Sequence, residues 1–151
     1  TSQTGVQPIF DGGGGPTNGA VTLPIGTYQF ECMFSLTGLS ATSGSFGFAL
    51  GGAATKTFAF QATSSKNAVT LITAAATFQS FGTAAIGSMQ TASTATVGHA
   101  LIKGIIVVTG AGTVIPQLSM TVASASVVQA GSYFKVSPIG SSTVVSVGNW
   151  T

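Results

Sequence analysis

Charge is what this chain of 151 residues has least of. Its acids are Asp11 and Glu31, its bases Lys56, Lys66, Lys103 and Lys135, and it has no arginine. Charged residues make up 4%, against about a quarter in an ordinary soluble domain. So few charges do not cover a monomer's surface in the usual way. Either Ser, Thr, Gln, Asn and backbone carry solubility, or other copies of the chain cover much of the surface, and the 44% hydrophobic content favours the second. The net charge of +2 comes from scattered lysines without a basic run, which argues against nucleic-acid binding. Cys32 is alone, so an intrachain disulfide is excluded. No apolar run approaches about 18 residues, so no transmembrane helix is expected. The first residue is Thr1 and no signal-peptide pattern follows it, so the chain reads as a processed or trimmed product, or a domain cut from something longer.

The same scarcity excludes most chemistry. A Ser-His-Asp triad would have to combine His99, Asp11 and a serine. Glycoside hydrolysis needs two carboxylates flanking the bond, and Asp11, one of the only two, sits in a Gly-rich loop. A zinc site needs three or four ligands, and the whole inventory is His99, Cys32, Asp11 and Glu31. Residues 11–19 (DGGGGPTNG) lack the Lys-Ser/Thr pair and the following helix of a phosphate loop. No catalytic, cofactor-binding or metal-binding residue is assigned, and the chain reads as a non-enzyme. His99 is expected at a strand start, bonded to backbone or lining a subunit contact. Glu31 is expected to be solvated or paired with a lysine across strands.

What the chain does have is alternation. In residues 19–35 (GAVTLPIGTYQFECMFS), Tyr28, Phe30, Cys32 and Phe34 share one face, and Thr27, Gln29, Glu31, Met33 and Ser35 the other. A period of two is that of a half-buried strand, with Cys32 as a small buried apolar group. Pro24 and Gly26 make a corner before it, the glycine tolerating positive φ. Residues 6–10 read as an edge strand broken by Pro8. Residues 45–50 place Phe46, Phe48 and Leu50 together. Residues 55–61 place Phe58 and Phe60 together, and a turn is expected at 64–67. Residues 68–78 are ambiguous but β-branched, and one strand is expected around 84–89. Residues 99–109 form a long strand with Gly104 at a bulge or close approach. Gly110-Ala111-Gly112 reads as a tight hairpin connector, and residues 113–122 run back, with Pro116 placing them at an edge or bulge. Residues 132–139 and 143–147 are the last strands. No segment shows a convincing helix of ten residues.

At this length one domain is expected, residues 1–151, with 1–18 an N-terminal edge segment and Gly-rich loop. Eight to ten short strands with turn signals between them predict an all-β fold, an antiparallel jelly-roll β-sandwich, with a meander as the alternative. The ten Phe, Tyr28 and Tyr133 fall mostly at alternating positions, where core packing is the ordinary explanation and a sugar-stacking platform the other. Trp150, penultimate after a Gly-Asn turn, caps an end of the sandwich or packs across a subunit boundary.

Gly19, Pro24, Gly26, Tyr28 and Phe30, within the stretch AVTLPIGTYQFECMF, resemble the start of the globular heads of complement-q and tumour-necrosis-factor-like proteins. That motif covers about a tenth of the chain. The resemblance implies a ten-stranded, TNF-like jelly roll forming a compact homotrimer, often carried at the end of a stalk. A second, broader match is the ending GSYFKVSPIGSSTVVSVGNWT with LIKGIIVVTGAGTVIPQLSM before it. It is similar to the carboxyl-terminal domains of bacteriophage virion proteins of the tail-fibre-like kind, although no long fibrous repeat accompanies it. Together these imply a structural protein of the virion: a capsid decoration, a head fibre or spike, or a fibre tip. Its partners would be itself and other virion proteins such as capsid or tail, with no cofactor, nucleic acid or membrane. The core and assembly residues would be Pro24, Gly26, Tyr28, Phe30, Phe34, Tyr133, Phe134 and Trp150. Other classes stay open: a module whose loops bind a host-surface glycan or protein, or a self-assembling filament or surface-layer subunit. An ice-binding surface is more distant, because no regular Thr-x-Thr ladder is present.

Overall fold

A computed structural model of the chain describes residues 5–10, 19–66, 76–82, 87–89 and 92–141. They form an all-β sandwich of two antiparallel sheets, with no helix among the described residues. The strands are β1 (Gln7–Pro8), β2 (Val21–Leu23), β3 (Gly26–Thr37), β4 (Phe46–Gly51), β5 (Thr55–Ser65) and β6 (Ala76–Gly82). They continue as β7 (Gly87–Ser88), β8 (Gly98–Gly110), β9 (Gly112–Met120), β10 (Val127–Val128) and β11 (Tyr133–Gly140). One sheet runs β3-β8-β5-β6, with β10 and β11 both paired to β3. The other runs β9-β4-β7, with β1 and β2 both paired to β9. The pairings β2·β9, β3·β8, β4·β7 and β5·β6 are therefore nested inside one another.

β3 is the spine of the six-stranded sheet. Its inward residues Tyr28, Phe30, Cys32, Phe34 and Leu36 are all buried, and the alternation read from the sequence holds over the strand. β8 lies beside it in unbroken register from Gly26↔Val108 to Leu36↔Gly98. Across the sandwich, Phe46, Phe48 and Leu50 of β4 meet this face. Phe30 stacks on Phe48 at 6.3 Å, Phe34 meets Phe46 edge-on at 5.9 Å, and Phe48 meets Phe60 edge-on at 5.5 Å. Each such fully buried ring contributes about 1.5–3 kcal/mol of transfer free energy.

Several connections differ from the sequence expectation. Gly110-Ala111-Gly112 is not a hairpin: β8 and β9 lie in different sheets, and Ala111 carries the chain across. A Cβ on Gly110 would come within 2.9 Å of Thr55, and one on Gly112 within 2.7 Å of Ala54, so the corner needs both glycines for close approach. A hairpin and a sheet-crossing corner share this composition, and only the partner strands distinguish them. Pro116 lies within an interior strand, flanked by β1 and β4. Its carbonyl accepts the Ile9 N–H at 2.9 Å. The N side that lacks a donor faces Ile9 as well, so the return bond of that pair cannot form and the pairing with β1 stops there. Gly104, by contrast, is the close backbone approach expected as the alternative to a bulge. It faces inward, where the Ala59 carbonyl and the Phe30 and Phe60 side chains take the space of a Cβ. Ser64 and Ser65 belong to β5 and not to a turn. Gly26 is not at positive φ; it opens β3 with the Tyr28 ring 3.4 Å from where a Cβ would be. Asn67 and the strand expected at 143–147 lie outside the described residues, as do 84–86 of the strand expected around 84–89.

β11 forms one edge of the six-stranded sheet. Lys135, Pro138 and a register break at Ile139 lie along it, the devices that keep an open edge from pairing with stray strands.

Candidate functional site

The outer face of the six-stranded sheet holds most of the exposed charge of the described chain. Registers across β11, β3, β8 and β5 align Lys135, Glu31, Lys103 and Gln61 in one row. Lys103 Nζ lies 3.0 Å from Glu31 Oε2, and the Tyr133 hydroxyl donates to Glu31 Oε1. These two bonds hold the Glu31 carboxyl below the ordinary carboxylate range, the Tyr133 bond most, and the same bond raises the Tyr133 phenol. Glu31 thus has the cross-strand lysine partner expected of it. A recess of about 100 Å³ beside it is lined by Gln29, Phe30, Glu31, Lys135 and Ser137. The neighbouring row, Tyr133, Met33 and Leu101, is largely apolar, with Met33 and Leu101 nearly two-fifths exposed.

His99 starts the same face. Its Nδ1 shares a 2.9 Å hydrogen bond with the Ser35 hydroxyl, and not with backbone. A nucleophilic serine needs the far ring nitrogen oriented by an acid. Glu31, the only acid among the described residues, lies four residues along β3 and is held by Tyr133 and Lys103. No group of three or more His, Cys, Asp or Glu is gathered as a metal site among the described residues. Cys32 is buried, and burial pushes its thiol up to about 12, which makes it a poor nucleophile.

Lys66 was not legible as a special residue. It is buried at 6% exposure. Its ammonium donates to the carbonyls of Ser40 at 3.1 Å, Gly44 at 3.1 Å and Ser93 at 2.6 Å. Gly44 and Ser93 also form a two-bond bridge of their own, so the lysine clamps a junction between two loops. Three carbonyl dipoles do here what a carboxylate usually does for a buried cation. Burial still lowers its pKa.

The residues that the sequence marks as core or assembly positions do not form one site. Tyr28, Phe30 and Phe34 are buried between the sheets, and Phe134 packs partly buried against them. Tyr133, its neighbour on β11, points to the opposite face with Glu31. Pro24 is exposed at the corner, where its carbonyl accepts the Tyr28 hydroxyl at 2.9 Å. Gly26 lies against the Tyr28 ring. Trp150 lies outside the described residues. No family model, no curated protein and no solved structure matches the chain.

Proposed function

We propose that this chain is a non-enzymatic structural protein of a bacteriophage particle, a jelly roll that assembles as a homotrimer into a capsid decoration, head fibre or spike, or fibre tip. The observation that carries the reading is the nesting of β2·β9, β3·β8, β4·β7 and β5·β6. An eight-strand ribbon folded back at its middle and wrapped into two sheets has that order, the order of a jelly roll. The trimer and the virion rest on the resemblances in residues 19–34 and in 101–120 with 131–151. The outer face of β4 and β9 suits assembly. Gly47, Ala49 and Ile115 are already covered there within the chain, and the part-exposed residues are the uncharged Thr113, Gln117 and Ser119, with the Gln117 side chain folded over Gly51. Burying such a surface removes no ion from water and depends little on salt.

Light scattering of the purified chain tests the assembly. Three times the 14.9 kDa chain mass is expected, unchanged up to about 1 M sodium chloride, where the Debye length is about 3 Å. A stable 14.9 kDa monomer at micromolar concentration would remove the main support. Imaging of native particles with a label on this chain tests the location. A second reading, a host-glycan-binding module, is favoured by the Lys135-Glu31-Lys103 row and its recess. A glycan panel whose signal is lost in Lys135→Ala would select it.

A further inference from the structure

The two sheets part on the side where β1 and β10 lie. A cavity of about 160 Å³ opens there, with walls of Ile9, Leu36, Leu118, Met120 and Val128. It shares Pro8, Ile9, Ser126 and Val128 with a wider groove of about 530 Å³ that leads to the surface. Two hydroxyls also line the inner cavity. Ser124 Oγ contacts Met120 Sδ at 2.9 Å, Ser126 Oγ contacts the same sulfur at 3.3 Å, and the two hydroxyls are 2.8 Å apart. The contact between the two hydroxyls uses one proton, which leaves the other with the thioether sulfur as its near acceptor. A thioether sulfur is a weak acceptor. A ligand oxygen would take that proton on better terms, and Met120 is flexible enough to give way.

We propose that this cavity binds a compact, neutral molecule with an apolar body of about six carbons and one oxygen acceptor, such as a small amide or ketone. The size follows from the volume, since an apolar cavity of about 150 Å³ accommodates a benzene ring. The neutrality follows from the walls, which carry no charged side chain, so a carboxylate would enter unpaired. The body would lie against Ile9, Leu36, Leu118 and Val128, and the oxygen would accept from Ser124 or Ser126. This goes beyond the structural role above and does not depend on it.

The test is a titration of the full chain, labelled for NMR, with benzamide as probe and with benzene and benzoate as controls. Benzamide is expected to shift the signals of Leu36, Met120, Ser126 and Val128 saturably, more tightly than benzene, with benzoate weakest. Ser124→Ala combined with Ser126→Ala should weaken benzamide about tenfold, the effect of losing one hydrogen bond, and leave benzene unchanged. Val128→Phe, at a partly buried wall position, should fill the space and abolish binding of both. If that variant does not fold, the serine pair decides alone. No saturable shift with benzamide, or benzamide affinity equal to that of benzene and untouched by the serine substitutions, would overturn the proposal.

Discussion

Phe30→Ala is the sharpest test of how this sandwich is held together. The ring is 1% exposed. It stacks on Phe48 at 6.3 Å, meets Phe134 at 6.1 Å, and fills the space that Gly104 leaves open on β8. Truncating a buried Phe costs about 3–5 kcal/mol through lost transfer energy and the cavity left behind. Two aromatic contacts, each about 0.5–1.5 kcal/mol beyond area burial, put this position in the upper half of that range. A domain has only about 5–15 kcal/mol in total. With a urea slope of about 1–3 kcal/mol per molar, the unfolding midpoint should fall by about 2 M, measured by circular dichroism. A midpoint within a few tenths molar of the parent (the scale of an ordinary surface substitution) would refute the core assignment of β3. Gly104→Ala sharpens the test. Part of the space for its methyl is taken by the Ala59 carbonyl, which is backbone and cannot move aside as a ring can. Adding Gly104→Ala to Phe30→Ala should therefore destabilise further. A recovery of stability would show that the ring alone had excluded the methyl.

Lys66→Met should cost about 1–3 kcal/mol, since three charge-assisted bonds are lost while the desolvation of the ammonium is relieved. Hydrogen exchange should show protection falling first at the Gly44 and Ser93 amides, and a uniform loss across β3 and β8 would contradict a local clamp. Burial lowers the native pKa of Lys66, so the unfolded chain binds that proton more strongly. Stability should then rise with pH between the lowered native value and the ordinary lysine range near 10.4, and the rise should vanish in Lys66→Met. Glu31 has the same sign in a more acidic window: its native pKa is lowered, so its contribution is present at neutral pH and is lost as pH falls through the native value. Glu31→Gln should flatten that acid limb of a melting-temperature profile. Cys32 should stay unmodified by a thiol reagent until the chain unfolds, because its thiol is buried and titrates at about 12; rapid labelling of the native protein would place it elsewhere.

The sequence by itself determined which face of β3 and of β4 carries the large apolar side chains. Side chains alternate strictly in an extended chain, so Tyr28, Phe30, Cys32 and Phe34 had to share a side whatever covered them, and so did Phe46, Phe48 and Leu50. With Asp11 and Glu31 as its only acids, the sequence likewise limits any carboxylate pair to that one combination. What alternation does not carry is which strands become neighbours, because pairing is decided by how all the strands close together over long sequence separations. Only the tertiary structure showed that Ala111 crosses between sheets and that Pro116 sits in an interior strand where β1 stops. It also returned β11 to the edge of β3, setting Tyr133 on Glu31 across 102 residues. Lys66 read as one more polar residue at a turn. Its role exists only because three carbonyls from two other loops converge on one point, and backbone carbonyls leave no mark in a sequence.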